Sequence, residues 1–108
     1  MSIIRAGALD RRVMLERPVT TVSPEGEWRR EEWEPVAEVP ASIRYLRAQE
    51  RIGAPKTMPV EMLSIWIRYR QVEPSWRVVL DGQPYRITGI AVLGRREGVE
   101  ITAERIEV

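Results

Sequence analysis

The stretch "SWRVVLDGQPYRITGI", residues 75–90, decides the fold. Asp81-Gly82 lies between two alternating runs, and this dipeptide is the preferred two-residue hairpin turn because both positions need positive φ. The register follows outward from the turn. Leu80 faces Gln83, Val79 faces Pro84, Val78 faces Tyr85, Arg77 faces Arg86 and Trp76 faces Ile87. Trp76, Val78, Tyr85 and Ile87 then share one apolar face. The Val79–Pro84 pair is a non-hydrogen-bonded one, so the missing proline amide costs this hairpin nothing. Arg77 and Arg86 become like-charged neighbours, which is unfavourable unless carboxylates lie beside them. The closing stretch "GVEITAERIEV", residues 98–108, puts Val99, Ile101 and Ala103 on one side. Glu100, Thr102 and Glu104 lie on the other side as expected partners for those arginines.

The same period of two recurs through most of the chain. In "RRVMLERP", residues 11–18, Val13 and Leu15 face one way, until Pro18 interrupts. "TTVSPEGEW", residues 20–28, reads as a turn region with Pro24 and Gly26 as breakers. From Glu25 to Glu38 the chain carries six carboxylates against Arg29 and Arg30. A projecting, irregular hairpin arm is expected here, with Trp28 and Trp33 on opposite faces of any regular strand. "VAEVPASIRYL", residues 36–46, gives Ala37, Val39, Ala41 and Ile43 an apolar side. Pro40 lacks an amide donor and marks an edge or a bulge.

"LSIWIRYR", residues 63–70, alternates as well, but its polar side, Ser64, Trp66, Arg68 and Arg70, includes a tryptophan among arginines. Between these two strands the alternation stops. "RAQERIG", residues 47–53, can form about two turns of helix closed by Gly53, whereas "APKTMP", residues 54–59, cannot be regular. Connections this long are usually functional or disordered. Arg44, Arg47, Arg51 and Lys56 make it basic, against Glu50 alone. The expected fold is therefore all-β: a small antiparallel barrel or sandwich of about five or six strands, one domain over residues 1–108, with an insertion over about residues 46–60. Burial of apolar surface holds it, at roughly 25 cal/mol per Å² removed from water.

Composition narrows the function. Seventeen Lys and Arg against sixteen Asp and Glu leave 108 residues with a formal charge of +1, a poor footprint for gripping nucleic acid. There is no cysteine and no histidine. Disulfides, thiolate chemistry and the usual neutral-pH base are therefore absent. No apolar run approaches the ~20 residues of a membrane span, and the start lacks a signal-peptide core, so a chain kept in a reducing cytosol is expected. The paired carboxylates of "REEWE" and "PEGE" fit a solvated acidic hairpin far better than a glycosidase pair. "GRREG" lacks the Lys and hydroxyl residue of a phosphate loop, no calcium-loop spacing occurs, and Ser23, Ser42, Ser64 and Ser75 have no histidine to activate them. No enzyme, cofactor or metal is expected. Tyr45, Arg47 and Arg51 are of the types that stack on bases or pair with phosphates, though a surface loop with scattered charge accounts for them equally well.

Taken in order, "RAGALDRRVMLERPV", a Gly-centred turn followed by Trp33, "VPASIRYLRAQE", a variable insertion, "IWIRYRQVEPSWRVVLDGQPYRITGI" and a closing strand form a pattern that resembles the phage head–tail joining family. These are the head-closure or "stopper" proteins of long-tailed phages and gene transfer agents. The resemblance covers essentially the whole chain. Its most specific parts are I-x-I-R-Y-R (Ile65, Ile67, Arg68, Tyr69, Arg70) and D-G-x-x-Y-x-I (Asp81, Gly82, Tyr85, Ile87), supported by Leu9, Arg12 and Val13. "VPAS" departs from it, since the family more often has an aromatic residue in place of Pro40.

The resemblance implies a small barrel assembled as a ring of six or twelve copies in the neck of a particle made in the bacterial cytoplasm. The ring would lie beneath the portal and adaptor, with a tail terminator or tail-completion protein on the other side. The insertion would lie toward the DNA channel and help retain packaged DNA, which places Arg47, Glu50, Arg51 and Lys56 there in weak contact with DNA. A ring subunit presents two unlike, complementary flanks, and the acidic arm and the basic Arg44–Lys56 region have that contrast. Trp66 with Arg68 and Arg70, and Trp28 and Trp33, have the composition of interface hot spots. The plainer reading of Trp66 is that another part of the same chain covers it. The rival reading of the whole chain is a monomeric barrel that binds single-stranded nucleic acid or a peptide. A related tail-completion protein is a third.

Overall fold

The computed structural model describes Ile4, residues 6–46 and residues 61–106. The chain enters through a short 3-10 turn, Ala6–Ala8. Six strands follow: β1 (Arg11–Val22), β2 (Arg29–Leu46), β3 (Met62–Arg68), β4 (Arg77–Leu80), β5 (Gln83–Leu93) and β6 (Gly98–Arg105). All pairings are antiparallel, and β1 meeting β4 closes the sheet into a barrel in the order β1-β2-β3-β6-β5-β4.

The hairpin that decides the fold forms as read. Val78 pairs with Tyr85, Val79 with Pro84 and Arg77 with Arg86, around a turn in which Asp81 and Gly82 have φ of 50° and 80°. Val78, Tyr85 and Ile87 are buried, and Trp76 packs against them from just outside the strand. The alternating sides of the other strands fill the barrel: Val13 and Leu15 from β1, Ala41 from β2, Leu63, Ile65 and Ile67 from β3, and Val99, Ile101 and Ala103 from β6. Val39 and Ile43 are half-buried against them.

Pro84 shows how a proline is accommodated in a closed sheet. Its carbonyl accepts from the Ile106 amide at 3.1 Å, but it has no amide to return. The Gln83 side chain supplies the missing donor, its Nε2 reaching the Ile106 carbonyl at 3.2 Å. The bond lost to proline is thus replaced from the adjacent residue.

Two expectations change, and the choice between an edge and a bulge at Pro40 is decided for the edge. β1 does not stop at Pro18 but runs on to Val22, paired with β2 throughout. Pro18 is tolerated because β4 covers β1 only over residues 14–16, so beyond Glu16 that edge of β1 is open. For the same reason the acidic arm is a regular two-stranded ribbon, from Arg17 opposite Glu34 to Val22 opposite Arg29, rather than an irregular one. The bulge lies between Leu15 and Glu16 of the β1–β2 register, where Ala37 and Pro35 are the partners, rather than at Pro40. Pro40 lies one residue beyond the last β2–β3 pair, Ala41 with Ile67, so β2 is an edge there on that side. A second register shift in β5, between Ile87 and Gly89, helps the sheet turn its corner.

The ribbon carries the chain well away from the core. Six residue pairs at about 3.4 Å per residue make an arm of roughly 20 Å, and the molecule extends 56 × 37 × 24 Å.

Candidate functional site: the arm, the barrel rim and the outer face of β3

At the tip of the arm the turn is tied by Ser23, a buried hydroxyl that accepts from the Glu27 and Trp28 amides at 2.7 and 3.2 Å. The Ser23 amide donates to the Trp28 carbonyl and the Gly26 amide to the Ser23 carbonyl, with Gly26 at φ 73°. This fixed turn holds Trp28 48% exposed, with the Arg30 guanidinium over its ring at 5.3 Å. Along the ribbon Arg17 makes a forked contact to Glu34 at 2.9 and 3.1 Å.

The root of the arm is built differently. Trp33 receives the Arg77 guanidinium over its ring at 4.5 Å. The same Arg77 donates from Nε to Glu16 at 2.7 Å, a half-buried pair. Together these groups fasten arm to barrel, with cation–π attraction and an ion pair sharing one guanidinium. Beside them lies an open groove of about 450 Å³ lined by Arg17, Pro18, Val36, Arg70, Gln71, Glu73, Ser75 and Trp76. The cross-strand arginines are thus relieved from two directions: Arg77 by Glu16 of β1, which sequence reading missed, and Arg86 by Glu104 of β6, as expected.

Glu100 does not serve those arginines. Its Oε2 accepts from Trp66 Nε1 at 2.8 Å and from Ser64 Oγ at 3.2 Å. Trp66 is therefore half-buried on the outer face of β3 with its polar atom satisfied within the chain. It lines a pocket of about 190 Å³ with Ile4, Ala8, Leu9, Ser42, Arg44 and Ser64. Ile4 is itself buried against Gly98, where a Cβ would stand 2.1 Å from the Ile4 side chain and 2.9 Å from the Ile67 carbonyl. The lead-in to β1 is thus laid across the outside of the barrel, and glycine at position 98 makes room for it. No periodicity in "MSIIRAGALD" announces this; the paired isoleucines were its only signal.

Arg68 is exposed on the same strand face as Trp66, whereas Arg70 lies beyond the strand end and turns to the Gln71 carbonyl at 3.1 Å. Arg96, in the β5–β6 turn with φ 57°, stacks over Tyr69 at 5.9 Å. Arg47, Glu50, Arg51 and Lys56 lie outside the described residues, as does any helix within the insertion. The described flanks show where that insertion leaves and re-enters: after Leu46 and before Glu61, at the barrel end opposite the arm. There Glu61 accepts from the Tyr85 hydroxyl at 3.3 Å and pairs with Arg105 at 3.4 Å. Burial first, and the Glu61 carboxylate second, push the Tyr85 phenol above its ordinary 10.0.

Among the described residues no group of three or more acidic, histidine or cysteine side chains is placed to hold a metal ion. What the surface offers is a charged, tryptophan-bearing arm and exposed rims, a geometry suited to contacts between proteins. The family comparison gives that geometry its class. The sequence model of the phage head completion protein family matches residues 4–106, and the chain belongs to that family. Its family places it among phage head components, and so it meets other particle proteins.

Two solved structures share the fold. A chain from the virion of a native gene transfer agent particle is similar at 21% identity and a TM-score of 0.68, covering 90% of this chain and 94% of that one. The solution structure of protein SF1141 from Shigella flexneri 2a is similar at 24% identity and a TM-score of 0.73, covering 94% and 96%. No curated protein matches the chain.

Proposed function

We propose that this protein is a head-closure, or stopper, subunit that assembles as a ring of six or twelve copies between the portal and adaptor on one side and the tail on the other. DNA passes through the ring, and the insertion between β2 and β3 helps retain it after packaging. The role is structural, with no reaction to perform. The observation that carries the reading is the family match over the entire barrel, arm and insertion, residues 4–106. The architecture supports it, since a ring subunit needs two chemically unlike ends. Here the arm leaves one end of the barrel and the insertion leaves the other.

The near-neutral charge fits a conduit. Every phosphate neutralised adds affinity through counterion release, so a strongly basic bore would hold the genome during ejection. Arg47, Arg51 and Lys56 are proposed to make few, weak contacts to DNA.

Trp66 with Arg68, and Trp28 with Trp33, are proposed contact residues for sister copies or neighbouring rings. For Trp66 the support is the pocket of about 190 Å³ that its ring lines, since its indole nitrogen is already satisfied by Glu100.

The test is co-assembly. Purified protein added to portal–adaptor complexes should appear by electron microscopy as an added ring, and particles made without it should lose packaged DNA. Particles that lack the protein yet keep their DNA and accept tails normally would overturn the proposal.

A further inference from the structure

We infer that the acidic tip of the arm of one copy seats on the arginine-bearing rim of the next copy, formed by Arg68, Arg95 and Arg96 with Tyr69 and Val92. The inference rests on the ring reading above and names the contact that would close it.

Charge is the first support. Among the described residues, the carboxylates of Glu25, Glu27 and Glu31 on the arm have no ion-pair or hydrogen-bond partner, and neither do the guanidinium groups of Arg68 and Arg95 on the rim. Arg96 has only the face of Tyr69. Glu97, in the same turn, has a contact of its own. Exposed apolar surface accompanies the charge on both sides. Val22 and Trp28 are 51% and 48% exposed on the arm, and Tyr69 and Val92 are 43% and 55% exposed on the rim. Free charges of opposite sign, each set beside uncovered apolar side chains, are the complementary halves of an interface.

Topology is the second support. The arm grows from β1 and β2, while the rim is the end of β3, β6 and β5. By the β2–β3 register, in which Ala41 faces Ile67, arm and rim lie at the same end of the barrel, but the ribbon runs roughly 20 Å beyond that end, so its tip stands clear of its own rim. A tip held that far from its own rim is free to meet the rim of another copy, arm to rim. Such a heterologous contact closes into a ring when the rotation per copy allows it. Duplex DNA is the competing occupant of the arginines, but it would leave Tyr69, Val92 and the whole arm without a partner.

The absence of cysteine allows a clean test. Glu27→Cys and Arg95→Cys are placed in separate copies, mixed at millimolar concentration and on portal–adaptor complexes, and treated with a short bismaleimide. The mixture should cross-link as heterodimers at least tenfold more than either variant alone. Arg95→Glu/Arg96→Glu should weaken self-association about tenfold or more, and Glu27→Arg/Glu31→Arg copies should restore it. Rings seen by electron microscopy without the cross-link would overturn the inference and leave the ring reading intact. Absence of rings under both conditions would overturn both. A rim variant that loses duplex binding while assembling normally would give the arginines to DNA and overturn the inference as well.

Discussion

Strand β1 spends its first half in the barrel and its second half in the arm. From Arg11 to Glu16 its alternate side chains, Val13 and Leu15, are sealed in the core, and near Glu16 both of its edges are paired. From Arg17 to Val22 it has one partner, β2, and no residue of that half is fully buried. Sequence character changes at the same place, from Val-x-Leu to a Pro-Val-Thr-Thr-Val run facing a tryptophan, two glutamates and two arginines. The barrel half is stabilised by burial, so its residues are fixed by the fold. The arm half is stabilised by one ladder and a few surface ion pairs, each worth about 0–1 kcal/mol when exposed. Its tryptophan and unpartnered glutamates contribute little to folding and are better explained by contact with other chains.

Substitution in the barrel should have the largest effect. Ile65 is fully buried at the centre of β3, paired with Ile43 and Ile101. Ile65→Ala should cost about 2–5 kcal/mol, read as a lowered denaturation midpoint with an unchanged m-value. A loss under about 1 kcal/mol would mean that the barrel interior is looser than its burial indicates.

At the junction a smaller effect is expected. Arg77→Ala removes both the Glu16 pair and the cover over Trp33, and leaves Glu16 half-buried without its cation. A cost of about 1.5–3 kcal/mol is expected. Near-ultraviolet circular dichroism should change as Trp33 is released. If stability falls but the tryptophan signal does not move, the arm is held by the ladder alone.

The Tyr85 phenol should contribute less, and in a pH-dependent way. Its pKa in the folded chain lies above the ordinary 10.0, so the folded state holds the proton more tightly than the unfolded one. Stability from this group is therefore complete below pH 10.0 and is lost as pH rises through the folded value. Tyr85→Phe should cost about 1 kcal/mol at neutral pH for the bond to Glu61. It should also flatten the alkaline fall in melting temperature. An equally steep fall in the variant would assign the alkaline transition to another group.

How far the sequence showed this division depends on the kind of signal. The hairpin at Asp81-Gly82 could be followed pair by pair because turn chemistry fixes register locally. The core sides of β1, β3 and β6 followed from alternation alone. Pro18 misled because its meaning depends on whether a third strand lies alongside, a tertiary fact. The lead-in packed over Gly98 left no periodic trace, and the bulge opposite Glu16 is what brings Trp33 to the Arg77 side. The acidity of the arm was legible as one continuous run. The rim was not, because Arg68, Arg95 and Arg96 come from separate elements that only the closed barrel brings to one end.

The smallest effect on stability is expected at the arm tip, and it bears most directly on the comparison. Trp28 is held by the Ser23 turn with the Arg30 guanidinium over its ring, and nearly half its surface is in water. Trp28→Ser should therefore change folding stability by no more than about 0.5 kcal/mol, measured by urea denaturation of the isolated protein. A buried tryptophan of the same size would cost several times more when truncated, about 3–5 kcal/mol. The near-zero result is informative only beside assembly on portal–adaptor complexes, where the same variant should be visibly impaired, because tryptophan at a protein contact is among the residues whose loss is felt most. Normal assembly with unchanged stability would leave Trp28 without a role. A core-sized loss of stability would mean that the arm folds back onto its own chain, and the distinction between barrel and arm would fail.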